Sequence, residues 1–404
     1  MTATSAPGER SDLPAVPVAR DARCPLAPPA LFADWRDADG LQRAMWRHEP
    51  TWVISRYQDI RAALTDPRLS ADTLRDLRAV SEDGTDVVVF ARIDDPEHNR
   101  LRRMMTRDFT FRRSQEMRPQ IQELVDGYLD TMIDKGPPAD LVRDFALPVP
   151  SLVISLLLGV PYEDHEFFQH HSTKGLDSRS TDDEKLAAIG AMFDYMWKLA
   201  ELKEREPGDD LMSRLITDYV AAGELNRATA VMNCVIMLQA GHETTASMIS
   251  LGTVALLQHP EQLVRFRSLG DQSLITNAIE ELMRYLSIVH SQVDRVATED
   301  LTIGGQLIKA GDHVLMNLPA GNWDPAFVDD PASLDVSRNA RGHLGFGFGV
   351  HQCIGQNLAR TELQIALTTL FRRLPNLRLA VPAEELRYGG EQEIYTIHEL
   401  PVTW

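Results

Sequence analysis

The chain has 404 residues, with 41 Lys plus Arg against 59 Asp plus Glu and a formal net charge of −18. That balance argues against a nucleic-acid binder or a protein drawn to anionic lipid. Three cysteines, Cys24, Cys234 and Cys353, with no C-x-x-C pair, exclude a disulfide framework or a cysteine-rich zinc site.

Hydrophobic residues make up 44% of the chain, enough for a sizeable core. The most apolar stretches, 147–161 and 230–240, are too short or too polar to span a bilayer, and residues 1–12 hold no apolar signal core. The expectation is a cytoplasmic, monomeric protein with no membrane partner.

Residues 1–30, rich in Pro, Ala and charge, read as an extended arm, and residues 31–404 as a single domain, because no repeat, low-complexity tract or linker interrupts them. Hydrophobic spacing predicts a helix over 31–43, a strand over 52–55 and a helix over 56–64 stopped by Asp66-Pro67. Helices dominate from Pro96 to about Gln258, at 97–106, 113–134, 147–158, 182–204, 211–222 and from Asn226 onward. After Arg284 come short strand-like pieces at 295–297, 301–303 and 313–316, punctuated by Gly304-Gly305 and Ala310-Gly311. The fold class is mainly α with a small β region.

The most informative stretch is Phe346-Gly347-Phe348-Gly349-Val350-His351-Gln352-Cys353-Ile354-Gly355, followed by helical spacing over 356–370. Gly347 and Gly349 open backbone conformations closed to other residues, and a helix N-terminus favours negative charge, which together suit a thiolate. A thiolate that reaches a metal through one bond needs a flat partner supplying the other ligands, and haem iron meets that need. The plain alternative is an inert core cysteine.

This segment resembles the haem-ligand loop of the cytochrome P-450 family, the haem-thiolate monooxygenases. Two more of the family's motifs occur in the family's order, Ala240-Gly241-His242-Glu243-Thr244-Thr245 and Glu281-Leu282-Met283-Arg284. The resemblance runs from about Cys24 to the C-terminus and is nearest to the soluble bacterial members. It implies a triangular helical prism around haem b, with Cys353 as axial iron ligand and Phe346, Gly347, Ala240 and Gly241 beside the cofactor. It also implies that His98, Arg102, Arg295 and His351 bind the propionates.

Glu281 and Arg284 are three apart and share a helix face, where they can pair; by themselves they could equally be a surface pair of little worth. The resemblance makes them a buried structural pair, joined by Arg338 from Leu334-Asp335-Val336-Ser337-Arg338. Thr244 can return its hydroxyl to the preceding turn, loosening the helical ladder for water, and Gly241 leaves a gap. Cleaving dioxygen consumes two protons, so Thr244 and Glu243 are the expected catalytic relay.

The stretch 92–118 holds eight arginines against five acids, a local basic patch in an acidic chain. It is the expected docking face for an acidic ferredoxin, around Arg100, Arg103, Arg107, Arg112 and Arg113, with electrons from NAD(P)H through a reductase. A solvated helix is the alternative. The resemblance places substrate contacts within 74–89 (Val88, Val89), 167–192, near Met237, in the loop 288–293 (Ile288, Val289, His290, Val293) and at 394–397 (Ile394, Tyr395). The implied activity is insertion of one atom of dioxygen into a medium-sized, mainly apolar organic molecule. Other haem-thiolate chemistry, such as oxidative coupling or peroxide-driven oxidation, and a non-catalytic haem sensor or carrier are the competing readings. Trp323 and Leu334 depart from the family's usual Arg and Phe.

Overall fold

The computed structural model describes residues 13–73, 79–80, 84–176, 180–390 and 392–404. In chain order the helices are α1 (Ala30–Asp37), α2 (Tyr57–Thr65), α3 (Glu97–Thr106), α4 (Phe111–Glu116), α5 (Arg118–Lys135), α6 (Pro148–Leu158), α7 (His165–Leu176), α8 (Asp182–Arg205), α9 (Leu211–Arg214), α10 (Arg227–Gln258), α11 (Pro260–Ser268), α12 (Gln272–Leu286), α13 (Leu318–Asn322) and α14 (Gln356–Arg373). The strands are β1 (Gln42–Trp46), β2 (Glu49–Ile54), β3 (Leu69–Ser70), β4 (Ala139–Asp140), β5 (Asp294–Ala297), β6 (Leu301–Ile303), β7 (Gln306–Ile308), β8 (His313–Met316), β9 (Arg378–Leu379) and β10 (Pro401–Thr403). Helix dominates and the sheets are small, as the hydrophobic spacing implies.

The chain sorts into two compact units, each drawn from three stretches of sequence. The first comprises Met1–Thr73, Gly270–Cys353 and Tyr388–Thr396. Its sheet has the order β1-β2-β8-β5-β3, with β2 parallel to β8 and the other pairs antiparallel. The period-2 alternation of strands sends successive residues to opposite faces. Val53 and Leu315, opposite each other in the register, face Phe32 and Trp35 of α1, whereas Ile54 and Met316 face Ile60 and Leu64 of α2. The helix expected over 31–43 ends at Asp37; Gly40, at φ +72°, turns the chain so that the residues from Gln42 pair with β2 instead. Strand pairing outweighs local helical spacing here.

The second unit comprises Leu74–Leu269, Ile354–Arg387 and Ile397–Trp404, and is mostly helical. Its central rod is α10, capped at its start by Asn226, whose side chain accepts from the Thr229 N–H at 2.6 Å. The rod packs against α6, α8 and α14. The helix expected over 113–134 is two helices, broken at Met117 because Pro119 occupies the first turn of α5. No helix among the described residues is long and apolar enough to cross a membrane.

Within the first unit, Glu281 and Arg284 of α12 are fully buried and joined by two hydrogen bonds, Nε to Oε2 at 2.7 Å and Nη2 to Oε1 at 2.8 Å. The remaining guanidinium donors reach the carbonyls of Asn322, Pro331 and Ser333. Glu281 also accepts the Asp335 N–H at 3.1 Å and has Arg338 Nε at 3.6 Å. The irregular run from Asn322 to Arg338 is therefore pinned to one helix. Trp323 stacks on Tyr285 and donates its indole N–H to the Tyr285 carbonyl at 2.9 Å, while Leu334 is buried, so both departures from the family pattern are packed into this core. Removing one partner of a buried pair strands the other charge. Glu281→Ala should cost about 3–5 kcal/mol in urea unfolding; a loss below about 1 kcal/mol, the range of exposed pairs, would contradict this assignment.

Candidate active site

The loop that ends at Cys353 belongs to the first unit. Gly347 and Gly349 stand at φ +68° and +75°, in the left-handed region that glycine tolerates. A Cβ on Gly349 would lie 2.7 Å from the Leu64 carbonyl oxygen, so the loop approaches α2 as closely as its backbone allows. At Gly347 nothing lies within 4 Å of that position, so open space remains beside the loop. The Cys353 N–H donates to the Phe346 carbonyl at 2.9 Å and closes the turn; Cys353 is exposed, three residues before α14 begins. Phe346 is nearly buried and stacks obliquely on His343.

His343 and Glu280 were not singled out from the sequence, where nothing but their proximity to the motifs marks them. The Gly345 N–H donates to Nδ1 of His343, so the ring proton sits on Nε2 and points to Glu280 at 3.2 Å. That bond ties the start of the loop to the helix carrying Glu281.

In the second unit α10 runs unbroken through residues 240–245. Thr244 returns its hydroxyl to the Ala240 carbonyl at 2.7 Å, as its position predicts, without interrupting the helix. Met232, Ile236, Ala240 and Thr244, four apart, form a stripe left partly or wholly uncovered along a rod whose other residues from 232 to 239 are buried. Glu243 is half-buried beside the stripe, and Met237 is buried. Gly241 has another reason than the expected gap. A Cβ there would stand 3.0 Å from Ile154 Cγ1, so the missing side chain admits close packing of α6 on that side.

His98 and Arg102 lie one turn apart on α3. His98 is fully buried; its Nδ1 lies 2.6 Å from the Phe90 carbonyl, which can only accept, so Nδ1 carries the proton. An anion bound at Nε2 would then require the doubly protonated ring. Arg102 is half-buried in the same unit. Arg295, buried in β5, donates to the Asp294 carbonyl, and His351 is half-buried in the loop of the first unit. Neither unit alone holds all four.

Of the stretches expected to contact substrate, residues 74–78, 81–83 and 177–179 lie outside the described residues. Val88 and Val89 are half-buried and fastened to α10 by Asn233, whose amide accepts the Phe90 N–H and donates to the Val88 carbonyl. Val289 and Val293 remain partly exposed, and Ile288 and Ile394 are buried. His290 and Tyr395 depart from expectation: both are about 1% exposed, their rings stack on each other, and Tyr395 also lies against the Arg20 guanidinium. The basic patch is also less bare than its composition implies. Arg100 pairs with Glu97, Arg112 with Glu116, and Arg113 with Glu116 and Asp209, whereas Arg103 and Arg107 have no ion pair among the described residues.

The residues present suit a haem. The first unit offers an exposed thiol, Cys353, on a glycine-shaped loop with open space beside Gly347. The thiol is the donor that such a cofactor's iron would take.

Known proteins agree. A family model described as cytochrome P450 matches residues 177–378. The chain is similar to a cytochrome P-450 of Streptomyces griseolus, 47% identical over 395 residues and 96% of each chain. It is also similar to the vitamin D3 dihydroxylase of that organism, 44% identical over the whole of both. The crystal structure of mycinamicin VIII C21 methyl hydroxylase from Micromonospora griseorubida, bound to mycinamicin VIII, superposes with a TM-score of 0.88 at 40% identity, covering 97% of this chain and 100% of that one.

His242 lies within the α10 motif but is fully buried, with Nε2 lacking a hydrogen-bond partner among the described residues, and burial lowers its pKa to about 4. Between pH 6.5 and 4 the unfolded chain binds a proton there that the folded chain does not. Stability should therefore fall as pH drops through that window, by about 3 kcal/mol at its lower end. His290, shifted the same way by burial and by Arg20, adds to the fall. Urea midpoints measured across this range should show a shallower slope for His242→Asn than for the wild type; equal slopes would remove His242 from the account.

Proposed function

Since the chain belongs to the cytochrome P-450 family, we propose that it oxidises a mainly apolar, medium-sized organic molecule of secondary metabolism or a xenobiotic. Its electrons come from NAD(P)H through a reductase and a ferredoxin. The enzyme is a haem-dependent monooxygenase, an oxidoreductase, and residues 31–404 act as one catalytic domain. Haem bound through Cys353 supplies the activation of dioxygen.

The observation that carries the reading is the hydroxyl of Thr244. Its one proton is committed to the Ala240 carbonyl, so the oxygen is left as an acceptor facing the uncovered side of α10. Thr244 would thus hold and orient a proton donor, and would not itself give up a proton. Glu243, half-buried on the adjacent position, would pass protons inward from solvent. His98, Arg102, Arg295 and His351 would meet the propionates as cations and donors. The relatives' named compounds, vitamin D3 and mycinamicin VIII, support a substrate that is largely apolar with a few polar groups.

The ferredoxin reading rests on Arg103 and Arg107, exposed without acidic partners, and on Phe111. This ring is 67% exposed next to Arg112 and Arg113, an apolar anchor within a positive rim.

The reduced protein should give a strongly red-shifted Soret band with carbon monoxide, and Cys353→Ser should abolish it. A band at the histidine-ligated position in the wild type would defeat the thiolate assignment. Thr244→Ala should lower product formed per electron consumed by about tenfold while leaving that band in place. An unchanged ratio would remove Thr244 from the relay.

A further inference from the structure

Arg20 lies in the N-terminal arm, where the sequence shows nothing chemical, yet it is almost wholly buried. Its Nη1 donates to the Leu26 carbonyl at 2.8 Å, and its Nη2 to the carbonyls of Leu286 at 2.7 Å and Ser287 at 3.1 Å. Nε and Nη2 converge on Nε2 of His290 at 3.1 and 2.7 Å. The guanidinium carbon stands 3.9 Å from the centre of the Tyr395 ring. That ring lies nearly parallel to both His290 and Tyr388.

Among the described residues no carboxylate touches Arg20, and burial without an acid lowers its pKa to about 10. A guanidinium only donates, so His290 must accept at Nε2 and carry its proton on Nδ1, neutral. Three carbonyls, one imidazole and one π face thus stand in for water around a buried cation.

Apart from Leu26 in the arm itself, these acceptors come from three places in the sequence. Leu286 and Ser287 end α12, His290 sits in the following loop, and Tyr395 comes from a segment more than a hundred residues later. The backbone joins the last two, since the Tyr395 N–H donates to the Ile288 carbonyl at 2.7 Å and the His290 N–H to the Glu393 carbonyl at 2.9 Å. Val289 faces Ile394 across that bridge. Ser287 holds φ +41°, a left-handed conformation unfavourable for a residue with a side chain. It is kept there by Asn322, which donates to its hydroxyl at 2.7 Å, and by Arg20 at its carbonyl.

We propose that Arg20 is a positioning residue for the oxidation: by gripping the end of α12, His290 and Tyr395 from inside, it sets where Val289 and Ile394 stand against the substrate. The proposal rests on the reading of those two residues as substrate-facing, and it assigns His290 and Tyr395 to the grip. The arm is then part of the pocket wall's support and a determinant of which molecules fit.

The test uses the full haem-loaded chain with Arg20→Met, which keeps bulk and removes the donors, and Arg20→Lys, which keeps charge and loses the fork. Imidazole and 4-phenylimidazole are titrated into the ferric protein and followed by the Soret shift. Both ligands bind the iron, but only the second reaches the wall. In Arg20→Met the affinity for 4-phenylimidazole should change by about tenfold or more and that for imidazole by less than about twofold, with the carbon monoxide band retained. The amides of His290 and Tyr395 should exchange hydrogen about tenfold faster. A lower melting temperature with both affinities unmoved, or with both changed equally, would show a merely structural arginine and overturn the proposal, as would unchanged exchange. If Arg20→Met yields no folded protein, Arg20→Lys is held to the same criteria. Failure of the wild type to show a thiolate band would sink the haem reading instead, and the exchange measurement, which needs no haem, would still decide whether Arg20 grips.

Discussion

A guanidinium shut away from water must find an acceptor for each of its donors inside the protein, and the way Arg284 does so determines the course of the chain that leads to the cysteine. Two oxygens of Glu281 take one side of the fork, and the carbonyls of Asn322, Pro331 and Ser333 take the rest. A segment with little regular structure of its own, running from α13 to the loop, thereby acquires a fixed path. Asn322 extends the arrangement: its side chain accepts the Leu344 N–H at 2.6 Å and donates to the Ser287 hydroxyl. Glu280 adds His343. The loop that presents Cys353 is thus hung from the last turns of one helix and its C-cap, and its glycines supply only the final bends.

Two buried arginines of the first unit, Arg284 and Arg20, illustrate different solutions to one cost. Arg284 is neutralised by a carboxylate and its donors organise a loop. Arg20 has no acid beside it among the described residues and is held by carbonyls, an imidazole and an aromatic face. Both converge on the end of α12, where Ser287 holds its left-handed turn.

The second unit relies on a long rod with unequal sides. Along α10 the buried face is closely packed, to the point that Gly241 has no room for a side chain against Ile154. The opposite stripe, at four-residue spacing, ends in Thr244 and is left uncovered. Asn233, a buried amide on the rod, is satisfied by pairing both ways with the 88–90 segment. Close packing on one side and an open stripe on the other are what let a helix serve as both scaffold and reactive surface.

The parts legible in the sequence were those in which chemistry is confined to a few neighbouring residues. The run Phe346 to Gly355, the spacing of Glu281 and Arg284, the helix over Glu97–Thr106 and the back-bonded hydroxyl of Thr244 all depend on local geometry, and all are found where the residues placed them. What only the tertiary structure decided involves partners far apart in the chain. Arg20 lies 270 residues from His290, Gly40 diverts a helical pattern into a strand because β2 is waiting to pair with it, and Gly241 answers to a side chain from α6. The exposed arginines of α3 and α4 likewise turn out to be partly cancelled by acids. Periodicity and motif report what a segment can do alone; burial, pairing and charge compensation depend on which distant groups arrive beside it, and that is set by the packing of the whole chain.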